Sequence, residues 1–238
     1  MRVLVLSEDR WHSMATVRAG LAPLVAAGFA FDWVQPGDVP SPEQLAAYPL
    51  VVLSKSNNRS ATDLSPWADD SLADEIVRRV RAGQGWVVIH SGVAGYGDMP
   101  TLRGMMGGAF LHHPPQCPVT VTPNAQYPLC AGSEAFTLTD EHYHVALDDA
   151  GADVFLMPTS EHGAQPAGWT RREGDGRVVV LTPGHNLPVW LHPAYQRLIQ
   201  SEANNTGRFF DPIKTPGSWN NNSAFRFVHT QDPAVQMD

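Results

Sequence analysis

Five residues of this 238-residue chain stand where chemistry can be done: His12, His90, His113, Glu141 and His185. An imidazole with an ordinary pKa of about 6.5 moves protons near neutral pH, and its bare nitrogen binds metals. His90 follows an apolar run and precedes Ser91-Gly92. That is the place where α/β enzymes build a nucleophile elbow. A His there cannot attack as Ser or Cys does, but it can ligate a metal or act as acid and base. His112-His113-Pro114-Pro115 puts paired imidazoles before a stiff Pro-Pro that holds the preceding residue extended. His12 and His185 each lie just past an apolar run. The bland reading of any one of them is an imidazole hydrogen-bonded to backbone. Four in comparable positions, with Glu141, predict a pocket where at least three of them meet. The candidate catalytic residues are His185, Glu141, His113 and His90. The same four are candidate ligands for a divalent ion such as Zn or Mn, because a carboxylate among imidazoles suits either role. No H-E-x-x-H or C-x-x-C pattern dictates a metal.

Asp140-Glu141-His142-Tyr143-His144 is dense in functional groups. On an extended backbone Glu141 and Tyr143 share one face, and His142 and His144 share the other. Trp11, Tyr96, Tyr143, Trp169 and Trp190 flank the polar candidates. With His12 they are candidate substrate contacts, since aromatic faces bind the apolar faces of sugars. Core packing is the competing role of each ring.

The elements that must position these residues are legible from apolar runs. Residues 3–6, 30–34, 50–53 and 85–89 read as strands, and residues 13–27, 41–47 and 72–82 as helices. Their alternation predicts a mostly parallel sheet with ligands beyond the carboxyl ends of its strands. His12 and His90 then fall on one sheet edge. Residues 107–115 read as a glycine-rich bend. Residues 119–122, 136–139 and 154–157 read as further strands, 168–172 with 177–181 as a hairpin, and 193–200 as the last core helix. The composition changes from residue 201 on, which divides the chain into a core domain of residues 1–200 and an extension of residues 201–238. The extension is expected to pack on the core or on a neighbouring subunit of a homo-oligomer.

Composition excludes several classes. With 16 basic against 24 acidic residues, a net charge of −8 argues against nucleic acid. Two cysteines, Cys117 and Cys130, cannot form a disulfide framework. The first apolar run is too short for a secretory signal, and no stretch approaches the roughly 18 apolar residues that cross a membrane. A cytoplasmic protein without membrane contact is expected.

Taken together, Trp11-His12 after a strand, Gly85-Trp86-Val87-Val88-Ile89-His90-Ser91-Gly92, Gly107-Gly108-Ala109-Phe110 with His113-Pro114, Asp140-Glu141-x-Tyr143, Gly168-Trp169, Gly176-Arg177 and Gly184-His185 with Trp190 form an ordered pattern. This pattern resembles the ThuA-like, or trehalose-utilisation, family over residues 1–200. The resemblance implies an α/β fold of the flavodoxin-like, class I glutamine amidotransferase-like kind, with helices on both faces of a mostly parallel central sheet. It also implies loss of the amidotransferase thiol, with His90 at the elbow, so glutaminase activity is not expected. The family is associated with trehalose and related disaccharides, oxidised to 3-keto-glycosides by a partner sugar dehydrogenase. The expected function is carbohydrate chemistry on a sugar or 3-keto-glycoside, begun by proton abstraction and ending in elimination, isomerisation or net hydrolysis. The competing reading is a non-catalytic carbohydrate-binding or regulatory protein on a degenerate scaffold. His142 and His144 make the Asp-Glu segment richer in His than the family pattern requires.

Overall fold

The computed structural model describes residues 1–148 and 152–207. β1 (Arg2–Ser7) leads to α1 (Met14–Leu21), whose Ser13 cap accepts from Thr16 N–H. The helix expected over residues 13–27 breaks there, because Pro23 turns its second half into a 3-10 segment, Ala22–Ala27. β2 (Ala30–Trp33), α2 (Pro42–Ala46), β3 (Leu50–Ser54), α3 (Asp70–Arg81) and β4 (Gly85–Ile89) follow. In this half of the chain two elements went unread in the sequence: α4 (Pro100–Met106) and β5 (Gly108–His112). The expected bend at 107–115 is therefore a helix stop at Gly107, φ 76°, and then a strand.

β6 (Cys117–Val121), β7 (Phe136–Asp140), β8 (His144–Leu147), β9 (Asp153–Leu156), β10 (Thr159–Ser160) and β11 (Gly163–Ala164) come next. The hairpin of β12 (Gly168–Glu173) and β13 (Gly176–Leu181) precedes α5 (Leu187–Leu191) and α6 (Pro193–Thr206). The last helix runs past residue 200, and the rest of the expected extension lies outside the described residues.

The main sheet has the order β2-β1-β3-β4-β13-β12-β9. The first five strands are parallel, β12 runs against them, and β9, antiparallel to β12, again points the same way as the five. Strand alternation sends Val3, Val5, Val87, Ile89, Val179 and Leu181 into a core with α1, α5 and α6. The intervening Leu4, Leu6, Trp86, Val88, Val178 and Val180 pack with α2, α3 and α4 on the other face. Burial on both faces is why these strands read as unbroken apolar runs. A small sheet, β11-β10-β6-β7, and the pair β5-β8 hang beyond the carboxyl edge and carry the remaining site residues. Among the described residues no helix is long and apolar enough to cross a membrane.

Candidate active site

Three carboxyl-end turns of the main sheet supply imidazoles. His12 follows β1, His90 follows β4 and His185 follows β13, while Glu141 comes from the link between β7 and β8. The donor atoms of these four all lie within 4.8 Å of one another. Glu141 Oε1 is 3.0 Å from His185 Nδ1, and its Oε2 is 3.4 Å from His90 Nε2. The rings of His12 and His90 meet edge-on at 4.8 Å, and those of His12 and His185 at 5.1 Å. His113, expected among the ligands, stands outside this set with its Nε2 3.6 Å from Glu141 Oε1. His12, expected only as a substrate contact, stands inside it. Chain spacing could not separate the two, because both lie on loops and only the strand order sets β1 one strand away from β4.

Each ring is held by a partner. Asp9 carboxylate oxygens lie 2.8 and 3.0 Å from His12 Nδ1, so Nδ1–H donates and Nε2 is left bare. His90 Nδ1 is 2.8 Å from the Thr182 carbonyl, which can only accept, so its Nε2 is bare as well. Burial opposes the charge on Asp9. The His12 ring and the N–H groups of Ser56 and Trp11 outweigh it and bring that carboxyl down to about 2. Burial also lowers the pKa of His12, which favours the neutral imidazole. Burial raises Glu141, but the His185 and His90 rings prevail and hold it well below the usual carboxylate range. Glu141 in turn raises the pKa of His185.

Backbone geometry explains the turns. His90 sits at φ 50°, in the left-handed region that a non-glycine residue rarely occupies. The strand-to-turn elbow thus aims its ring off the end of β4. A Cβ on Gly92 would lie 2.4 Å from the Leu53 carbonyl, so only glycine lets the chain pass over β3 here. Asp140 accepts from the N–H groups of Gly184, His185 and Asn186 and fixes the loop that carries His185. Asp9 and Asp140 were not singled out from the sequence. The available signal was an Asp three residues before His12 in a polar strand-end loop, and an Asp directly before Glu141.

The aromatic candidates divide. Trp11 is 66 % exposed and stands at the mouth of a cavity of about 280 Å³ beside His12, His90 and His185. Tyr143 stacks on His90 at 4.3 Å and backs that ring from the interior. Tyr96, Trp169 and Trp190, expected as substrate contacts, are buried in the core, with Tyr96 and Trp169 away from the cavity. Tyr96 O–H donates to the Lys55 carbonyl, and Trp169 Nε1–H donates to that of Met106. Trp190 Nε1–H donates to the Gly184 carbonyl and so braces the His185 loop. Trp190, 1 % exposed, is nevertheless among the residues that line the cavity.

Neither cysteine belongs to the site. Both are buried free thiols on the small-sheet side, and burial pushes Cys130 up to about 12.

A sequence profile described as ThuA, trehalose utilisation, matches residues 2–201. The chain belongs to the ThuA family. The match spans every residue of the four-residue cluster. Solved structures agree on the fold. A ThuA-like protein from Parabacteroides merdae superposes with a TM-score of 0.70 at 16% identity, over 87% of this chain and 89% of that one. A ThuA-like protein from Bacteroides uniformis gives 0.65 at 17%, over 87% and 91%. The β-galactosidase of Rahnella sp. R3 gives 0.61 at 14%, over 86% of this chain but 31% of that enzyme. At such identities these likenesses speak for fold alone. No curated protein matches the sequence significantly.

Proposed function

We propose that this ThuA-family protein is an enzyme that cleaves or rearranges a 3-keto-glycoside at a divalent metal held by His12, His90, His185 and Glu141. The observation that carries the reading is the set of bare nitrogens. His12 Nε2 and His90 Nε2 are buried without a hydrogen-bond partner, and His185 Nδ1 joins them around one carboxylate, 3.0 Å from Glu141 Oε1. Buried polar atoms are normally satisfied, and two left open beside a third imidazole and a carboxylate suit a cation. The partners on the far nitrogens, Asp9 and the Thr182 carbonyl, are the supports that metal-binding imidazoles use. When bound, such an ion supplies positive charge for the oxygen of a substrate carbonyl.

His113 is the group left for proton transfer. Its Nδ1–H donates to the Pro114 carbonyl at 2.8 Å, which leaves Nε2, 3.6 Å from Glu141, as a base. In this scheme a carbonyl at C3 acidifies C2–H. His113 takes that proton, and the C–H electron pair moves into the enolate. The pair then forms the C1–C2 double bond as the glycosidic C1–O bond breaks, and His113 returns the proton to the leaving oxygen. Addition of water to the double bond makes the net result hydrolysis. The substrate class requires a preceding oxidation, the work of a sugar dehydrogenase. The parallel order β2-β1-β3-β4-β13 supports a flavodoxin-like, amidotransferase-like core put to this use without its thiol.

The test is solvent exchange. In deuterated water, the zinc-loaded protein is expected to wash deuterium into C2 of a 3-keto-glucoside before or during glycoside cleavage, followed by NMR. Binding of the sugar without exchange or cleavage would favour the non-catalytic carbohydrate-binding reading. A second expectation concerns support. Asp9→Asn is expected to weaken zinc binding about 10- to 100-fold by releasing the His12 ring. An unchanged affinity, measured by chelator competition, would remove His12 from the site.

A further inference from the structure

We propose that the chain holds a second metal site, built from His112, His142 and His144 with His162 at its edge, for a borderline divalent cation such as Zn, Cu or Ni. The site lies across the residue 140–144 segment from the first one and does not depend on it. Extended backbone turns Glu141 and Tyr143 toward His90 and leaves His142 and His144 on the opposite side. β5 runs antiparallel to β8, and its register sets His112 directly opposite His144. Those two rings stack at 4.5 Å with planes 19° apart, and His142 lies 5.4 Å from His144. His162 is near enough to act electrostatically on both His142 and His144.

Two further observations point to a ligand. His142 is 1 % exposed, and its Nδ1 is 2.7 Å from Ser160 Oγ, so Nε2 is the nitrogen left to bind. The Nε2 atoms of His142 and His144 are both buried without a hydrogen-bond partner. Unsatisfied buried nitrogens on neighbouring rings are unfavourable unless something accepts their lone pairs. Imidazole suits Zn, Cu and Ni above the harder cations. Among the described residues, only the first cluster has all its donor atoms within 4.8 Å. The second closes by rotation of the exposed His112 and His162 side chains toward the fixed His142. Since His142 directly follows Glu141, loading this site would also pin the segment that presents Glu141.

Calorimetric zinc titration of the full chain tests this. The wild type is expected to take one equivalent more than His112→Ala/His144→Ala. His12→Ala/His185→Ala is expected to keep the equivalent that the other double variant loses. Equal stoichiometry in wild type and His112→Ala/His144→Ala overturns the proposal, whatever the first site does. A loss confined to His12→Ala/His185→Ala also overturns it and leaves the first site standing. If the double variant fails to fold, the surface change His112→Ala decides. A weakening of one equivalent by tenfold or more supports the second site, and unchanged binding rejects it.

Discussion

Glu141→Gln is expected to lower turnover of a 3-keto-glycoside by about 10³-fold or more and to strip the protein of its divalent ion. Glu141 is the one carboxylate in the four-ligand set, and it lies against two of the three imidazoles. The amide keeps the size of the side chain but removes the charge that balances a cation and that raises the pKa of His185. Glu141 is not part of either hydrophobic core, so the melting temperature of the metal-free variant should stay near that of the metal-free wild type. Elemental analysis, single-turnover kinetics and a melt on the same sample separate the effects. Full activity with full metal content in Glu141→Gln would refute the proposed chemistry.

The second large effect concerns stability at a distance from the site. Glu202 on α6 is fully buried, and neither carboxylate oxygen has a hydrogen-bond partner. Burial pushes its pKa up to about 7, and the nearby Arg177 offsets this only in part. A folded-state pKa above the unfolded value means that the native protein binds more protons between the two values. Stability therefore falls as pH rises from about 4.5 to about 7 and is level beyond. The cost above that window is on the order of 3 kcal/mol. Glu202→Gln removes the ionisation and should flatten the dependence. At pH 8 the variant is expected to melt higher than the wild type by roughly 6 °C, with the gap closing toward pH 4.5. Parallel melts across that range check the prediction. A wild-type slope that survives the substitution would show that another group is responsible.

The parallel core was legible because Val3, Val52, Val88 and Val179 stand in apolar runs that only a doubly covered sheet explains. The break in the first helix was written in Pro23, but the helical spacing of its neighbours masked it. β5 was hidden because Gly107-Gly108 reads as a bend, whereas Gly107 ends one element and Gly108 starts the next. In the site, strand-end positions were enough to single out His90 and His185. Which of His12 and His113 joins them depends on strand order in space, and spacing along the chain does not carry that. Trp169 and Trp190 illustrate a related limit. An indole beside Gly or Pro looks like a binding platform until its N–H is found donating to a buried carbonyl.

The four residues of the cluster are drawn from positions 12, 90, 141 and 185, so nearly the whole length of the ThuA domain separates the first from the last. In an unfolded chain they are remote from one another, and their meeting point exists only once β1, β3, β4 and β13 have assembled into one sheet. An ion seated there works as a latch on unfolding. It ties the opening strand to the closing hairpin, and the strands cannot separate until it leaves. The lifetime of the folded protein against heat or proteases then follows metal supply as well as the packing of its core.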